Sequence, residues 1–233
     1  GIPLAKGDEV VVVDEEYPSN AYPWHRAAER AGATVRSVAV DRVLESITAR
    51  TKIVALSWVE YATGSSVELR PIADAVHERG GWLVVDAIQA LGYMTFDIAA
   101  YGADVVVGGT QKWLLGPLGH GFMACAPGRA AAMTPMMHGA MTYGGADDAV
   151  DPARPARTDH RRFEPGSPLL VGAIAGAAAI DALFSIGVDV VRAAALANAT
   201  LVENAARERG LQLAKRVGPI ASPIRRAWHG KLS

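Results

Sequence analysis

The chain has 233 residues, of which 50% are hydrophobic and 20% are charged, and its formal net charge is -1 at pH 7. This balance is typical of a globular protein with one sizeable core, and it argues against a dedicated surface for nucleic acid or for an anionic membrane. The single cysteine, Cys125, excludes a disulfide framework and a cysteine-rich metal site, and it favours a cytoplasmic location.

Short apolar, β-branched runs alternate with helical patterns along the chain. The predicted strands are residues 9–13, 34–40, 52–58, 82–86, 104–107 and 121–125. The predicted helices are residues 22–31, 43–48, 71–79, 98–101, 168–186 and 188–209, with a long loop-like region at 133–162. Continuous apolar runs that are linked by helices predict an α/β fold, in which helices cover both faces of a mostly parallel sheet.

No uninterrupted apolar stretch reaches the roughly 18 residues that would span a membrane. The apolar segment 167–187 is rich in alanine and contains Asp181, so it predicts a buried helix. The six histidines show no metal-ligand spacing, and no metal site is predicted. One of them, His120, follows Lys112 in a glycine-rich loop and is a candidate for the border of a site.

Asp86 ends a very apolar predicted strand, at the position where open α/β sheets carry their ligand crevice. A buried carboxylate there is costly unless a positive group meets it. The alternative is that Asp86 caps the next segment, since aspartate is a favoured N-cap residue. Gln89, three residues later, shares a face with it if a helical turn follows.

Lys112 lies just beyond the next predicted strand, after the pair Gly108-Gly109. Sequential strands often neighbour one another, so Asp86 and Lys112 can reach one crevice. One explanation is a structural ion pair. The other is a pyridoxal phosphate site, in which the carboxylate keeps the pyridine nitrogen protonated and the lysine forms the Schiff base.

The run "LVVDAIQALGYMTFDIAAYGADVVVGGTQKWLLGPLGHGF" resembles the core of the class V aminotransferase family, a fold-type-I group of pyridoxal phosphate enzymes. Three further segments, "GDEVVVVDEEYPSNAYPW", "ITARTKIVALSWVEYATGSSVELRPI" and "RRFEPGSPLLVGAIAGAAAIDALFSIG", extend the resemblance over most of the chain. It implies a three-layer α/β sandwich, with a cofactor-binding large domain in residues 1–210 and the start of a C-terminal region in 211–233. The abrupt start and the irregular final segment make us expect one part of a larger enzyme.

The resemblance also implies roles for individual residues. Asp86 would pair with the pyridinium nitrogen, Gln89 would hydrogen-bond the phenolic oxygen of the ring, and Lys112 would be the aldimine lysine. In the desulfurase branch of the family a serine, a small residue and a histidine precede that lysine, and the serine and histidine bind phosphate. This chain has Gly109, Thr110 and Gln111 there.

Two further positions depart from the family pattern. Ser167 stands where the family usually has a threonine that reaches the cofactor phosphate of the neighbouring subunit, and its hydroxyl keeps that chemistry. Tyr61 stands where desulfurases have an asparagine that touches the cofactor, so it either bonds the ring oxygen or packs. The resemblance also implies a homodimer whose small-molecule substrate is an amino acid. Two alternatives remain: a non-catalytic remnant of such an enzyme, or a nucleotide-binding α/β module in which Asp86 and Lys112 are a structural pair.

Overall fold

The computed structural model describes residues 1–144, 150–151, 153–216 and 218–223. Its strands are β1 (Glu9–Val13), β2 (Thr34–Val38), β3 (Thr51–Ser57), β4 (Trp82–Asp86), β5 (Val105–Gly109) and β6 (Gly121–Cys125). Its α-helices are α1 (Pro18–Ala31), α2 (Val43–Ser46), α3 (Leu69–His77), α4 (Ile98–Tyr101), α5 (Ala140–Tyr143), α6 (Leu170–Ile186) and α7 (Val188–Glu208). Short 3-10 helices occur at Val40–Arg42, Ala130–Ala132 and His160–Phe163.

The strands form one six-stranded sheet in the order β2-β1-β3-β4-β5-β6. All neighbouring pairs are parallel except β5 and β6, which are antiparallel. The predicted α/β class with a mostly parallel sheet is therefore confirmed. Because the parallel strands point the same way, the segments that follow β1, β3, β4 and β5 all emerge at the same edge of the sheet.

Two apolar clusters cover the two faces of the sheet. Successive strand side chains point to opposite faces, so Val11 belongs to one cluster and Val10 to the other. Helix α3 packs its apolar side on the first cluster, and Trp24 of α1 packs on the second. This double burial explains why the strands read as continuous apolar runs, and it gives the expected three layers.

The observed bounds differ from the predicted ones where local chemistry acts. Helix α1 begins at Pro18, four residues before the prediction, because proline is favoured in the first helical turn. Strand β2 ends at Val38, since the chain turns into the 3-10 helix Val40–Arg42. The loop-like region 133–162 contains the short helix α5, and its residues 145–149 and 152 lie outside the described part of the chain.

Candidate active site

Asp86 is the last residue of β4, and it lies between Ser57 of β3 and Val107 of β5 in the register of the sheet. Its Oδ1 accepts a hydrogen bond from the backbone N–H of Ile88 at 2.9 Å. The residues that follow, 88–90, form turns and not a helix. Asp86 therefore caps a turn while its half-buried carboxylate stays at the edge of the sheet.

The charges around Asp86 act on it in opposite directions. Burial raises the pKa of the Asp86 carboxyl above its ordinary value; the Ile88 N–H opposes this rise, Glu16 adds to it, and the charge of Lys112 opposes it. Lys112 is thus close enough to influence Asp86. Within the described residues, however, no direct ion pair joins the two side chains. The interpretation of Asp86 and Lys112 as a structural ion pair requires that contact.

Lys112 lies on the loop that connects β5 to β6, where its side chain is half-buried. Its Nζ lies 5.8 Å from the centroid of the Tyr17 ring. Tyr17 packs edge-to-face on Tyr61, with 5.2 Å between the ring centroids and an interplanar angle of 78°. The lysine amine therefore lies beside an aromatic pair at the same edge as Asp86. Tyr17 was not predicted, although its position after β1 is a signal for this edge.

Two buried carboxylates that the sequence interpretation missed also lie at this edge. Glu16 accepts hydrogen bonds from the backbone N–H and the hydroxyl of Ser57, at 2.7 and 2.6 Å. Glu60 is 2% exposed, and neither of its oxygens has a hydrogen-bond partner. Burial, helped by the charges of Glu16, Glu15 and Asp86, raises the pKa of Glu60 to about 8. Both residues follow parallel strands, which is the signal that could have found them.

The other predicted site residues lie in different environments. Thr110 is buried, and its hydroxyl lies 3.1 Å from the carbonyl oxygen of Pro117. Gln111 is exposed, and Gln89 is half-buried in the turn after Asp86. Ser167 is exposed in the segment before α6.

A cavity of about 980 Å³ opens beside Asp86. Gly108 and Gly109 of β5 line it, as do Phe163 and Glu164 of the segment that precedes Ser167. Lys112, Gln89 and Ser167 do not line this cavity. Asp86, Lys112 and Tyr61 thus lie at one edge of the sheet. The segment that precedes Ser167 lies near that edge, because Phe163 and Glu164 line the same cavity as Asp86.

In the described part of the chain, no group of three or more His, Cys, Asp or Glu side chains has an arrangement suited to a metal ion. Among its helices, none is by itself long and apolar enough to cross a membrane; α6 and α7 together meet the length and composition test, but the pair is bent by 82°.

A family model described as aminotransferase class-V matches residues 1–216. The chain belongs to this family. A probable cysteine desulfurase of Methanothermobacter thermautotrophicus is 32% identical over 196 residues, which cover 81% of this chain and 48% of that protein. Isopenicillin N epimerase of Amycolatopsis lactamdurans is 31% identical over 162 residues, which cover 64% of this chain and 40% of that protein. The resemblance that the sequence motifs indicated is therefore confirmed.

Two solved structures of pyridoxal phosphate or desulfurase enzymes share the fold. Cysteine desulfurase CsdA from Escherichia coli superposes with a TM-score of 0.85 and 25% identity, covering 94% of this chain and 56% of that one. A C-DES mutant with glycine covalently linked to its PLP cofactor superposes with a TM-score of 0.80 and 20% identity, covering 95% of this chain and 61% of that one. The chain spans about half the length of the curated relatives it matches.

Proposed function

We propose that this chain forms the cofactor-binding part of a pyridoxal phosphate-dependent enzyme that acts on an amino-acid substrate. The observation that carries the proposal is the meeting of Asp86 and Lys112 at one edge of the sheet without an ion pair between them. A structural pair would use up both charges, whereas the cofactor needs a carboxylate and an amine at separate atoms. The nucleotide-binding alternative depended on that pair, and it is disfavoured for the same reason.

The charged residues at this edge of the sheet fit a bound pyridoxal phosphate. Glu16, Glu60 and Asp86 are carboxyls at the same edge, and Lys112 is the cation that acts on Asp86. Buried carboxylates are costly unless a positive charge meets them. A protonated pyridine nitrogen supplies that charge, and it would lower the cost of ionising Asp86.

Each residue contributes a distinct step. Asp86 would pair with the ring nitrogen of the cofactor, and the hydrogen bond that its carboxylate accepts from the Ile88 N–H would keep it oriented. Lys112 would hold the cofactor through its amine and, once that amine is free, would move a proton at the substrate α-carbon. When bound, the cofactor supplies an electron sink for the bond that breaks at that carbon.

Four other residues are proposed to hold the cofactor. Gln89 and Tyr61 would contact the ring oxygen, with the Tyr17–Tyr61 pair bounding the space beside the lysine. Thr110 and Gln111 would contribute near the phosphate. The Thr110 hydroxyl already lies near the Pro117 carbonyl, so we expect its contribution to be smaller than that of Gln111.

Treating the chain with pyridoxal 5'-phosphate and then with borohydride is expected to fix the cofactor on the peptide "GGTQKW", which contains Lys112. Borohydride reduces a Schiff base to a stable amine, so mass spectrometry of the digest reports which lysine reacted. Lys112→Ala should lose this label. Lys52→Arg, which changes a lysine bonded to the carbonyl of Gly80, should keep it. Label confined to a different lysine would reject the assignment.

We propose a homodimer in which Ser167 contributes to the partner's phosphate site. Helix α6 is not the buried helix that its apolar sequence predicted: Leu170, Val171 and Ile174 on its first turns, and Leu169 just before it, are each more than half exposed. Such a patch beside the site favours a second copy as its cover.

Sedimentation of the chain is expected to show a dimer that Val171→Asp dissociates, because a charge cannot be buried in an apolar interface at low cost. Leu44→Asp, at an exposed apolar position on α2, should leave the dimer intact. A monomer that binds the cofactor with the same affinity as the unsubstituted chain would contradict the proposal.

We also propose a domain organisation and a location for the chain. Residues 1–210 would be the large domain and 211–233 the start of a C-terminal region, of which residues 217 and 224–233 lie outside the described part of the chain. The location would be cytoplasmic.

The type of reaction is left open, because transamination, epimerisation and elimination would all use Asp86 and Lys112 in the same roles. A non-catalytic remnant would take up cofactor on Lys112 without turnover, so an assay of amino acids with the labelled chain separates that alternative.

Cys125 is expected to carry no persulfide, although several of the relatives are desulfurases. It is half-buried on β6, opposite Val105 of β5, and burial raises the pKa of its thiol. A raised thiol pKa leaves little thiolate, which is the nucleophilic form. Cys125→Ala should therefore leave turnover unchanged, and mass spectrometry after incubation with cysteine should find an unmodified thiol. Detection of an added sulfur on Cys125 would return the chain to a desulfurase mechanism.

A further inference from the structure

The loop that carries Lys112 is closed at its base by two residues. The last antiparallel pair of β5 and β6 is Gly109 and Gly121. Thr110 follows Gly109 and starts the loop, and His120 ends it just before Gly121. The backbone N–H of Thr110 donates to the carbonyl of His120 at 3.0 Å. Inside the loop, the N–H of Gly116 donates to the carbonyl of Thr110 at 2.7 Å. Thr110 is thus the point from which the loop is held, two residues before the lysine.

The His120 side chain adds a second contact to Thr110. The threonine hydroxyl lies 3.1 Å from the carbonyl of Pro117, 3.2 Å from the carbonyl of His120 and 3.4 Å from Nδ1 of the His120 ring. A hydroxyl has one hydrogen, which a carbonyl can accept, and its lone pairs remain for a donor. The contacts therefore favour the tautomer in which Nδ1–H of His120 donates to the hydroxyl.

Helix α6 packs against the other side of the His120 ring. A Cβ added at Gly176 would lie 2.9 Å from Nδ1 and 3.1 Å from Cε1 of His120, and one added at Gly172 would lie 3.3 Å from the His120 Cβ. Both glycines are buried. The ring is therefore held between the glycine face of α6 and Thr110, in a space that a larger residue at 176 would close.

We propose that His120 is a positioning residue that fixes the Lys112 loop on helix α6 through Thr110. The inference rests on the proposed function only for the role of Lys112, since the contacts belong to the chain itself. Removal of the ring would take the Nδ1 contact away from the Thr110 hydroxyl, which would keep only its two backbone carbonyl contacts, and would open a gap against α6. The loop would then start from a less ordered point, and the lysine amine would spend less time where it can react.

The first test needs no cofactor. In the 233-residue chain, His120→Ala is expected to raise the amide exchange rates of Thr110 and Gly116 about tenfold, because their hydrogen bonds close the loop. His120→Asn keeps an amide donor near the position of Nδ1 and should stay close to the unsubstituted chain. Exchange rates that are equal in the His120→Ala variant and the unsubstituted chain would overturn the inference.

A double-variant comparison tests the contact with α6. Gly176→Ala should lower the unfolding midpoint in the unsubstituted chain, because its methyl group collides with the ring. The same substitution should be tolerated when His120→Ala is present, because the ring is gone. Equal shifts in the two backgrounds would show that the ring does not lie against the helix, and would overturn the inference.

A third test measures the rate at which pyridoxal 5'-phosphate becomes fixable on Lys112 by borohydride. His120→Ala should slow it about tenfold, which corresponds to one loosened contact, and His120→Asn should largely restore it. Val76→Ala, a core variant in α3, controls for destabilisation and should keep the normal rate. Equal slowing in Val76→Ala and His120→Ala would overturn the inference. Absence of label on Lys112 in the unsubstituted chain would instead reject the proposed function, while the exchange experiment still decides about His120.

Discussion

Asp86→Asn is expected to leave the fold intact and to reduce turnover at least about 100-fold. The substitution would remove the carboxylate from the pair proposed between Asp86 and the ring nitrogen of the cofactor; removing one partner of a buried charge pair costs about 3–5 kcal/mol, and each 1.36 kcal/mol corresponds to about tenfold in rate. The asparagine side-chain oxygen can still accept the bond from the Ile88 N–H, which spans 2.9 Å in the native chain. The substitution therefore removes the charge and keeps the turn.

A second variant separates the charge from the turn. Asp86→Ala removes both the carboxylate and the cap of Ile88, so it should lose turnover and about 1 kcal/mol of unfolding free energy. Both variants should keep some affinity for the cofactor, because Lys112 still forms the covalent link. The measurements are cofactor absorbance, turnover and chemical denaturation. Normal turnover in Asp86→Asn would mean that this carboxylate does not hold the ring nitrogen.

The strands and the two central residues of the site could be predicted from the sequence for the same physical reason. A parallel sheet that is buried on both faces needs continuous apolar runs, and these runs end abruptly where the chain reaches the open edge. Asp86 is conspicuous because it follows four apolar residues, and Lys112 because it follows a glycine pair. Both signals are local, so they survive without a structure.

Glu16, Glu60 and Tyr17 follow β1 or β3, which could have placed them at this edge, but their burial and their partners depend on contacts between distant segments. Glu16 is meaningful only through Ser57, 41 positions away. Glu60 lies beside an exposed tyrosine, and nothing in the local sequence indicates that its carboxyl is 2% exposed. Burial of this kind depends on how β1 and β3 pair, which a reading of single segments does not provide.

His120 shows the same limit on the side of packing. In the sequence it is one histidine among glycines, and Gly176 is one small residue in an alanine-rich helix. The two meet across 56 positions, and only their approach shows that position 176 has no room for a side chain. The glycines of α6 are therefore explained by contact with the lysine loop and not by helix propensity, which disfavours them.

Glu60→Gln is expected to make the chain more stable at alkaline pH and to remove most of the pH dependence of unfolding between about pH 5 and 8. The pKa of Glu60 is raised from 4.5 in the unfolded chain to about 8 in the folded one. Between these values the folded protein holds a proton that the unfolded chain has lost. The free energy of unfolding therefore falls as the pH rises through this window, by an amount on the order of 5 kcal/mol.

The glutamine variant isolates this contribution because its amide is the neutral, nearly isosteric counterpart of the protonated acid. Below about pH 5 the variant and the native chain should have similar stability, and above about pH 8 the variant should be the more stable of the two. Glu208→Gln, an exposed acid at the end of α7, serves as the matched control and should follow the native pH dependence. Urea unfolding at a series of pH values measures the difference. If the native chain and Glu60→Gln kept parallel stability curves up to pH 9, the Glu60 carboxyl would have to be ionised throughout, and a cation would have to meet it in the folded protein.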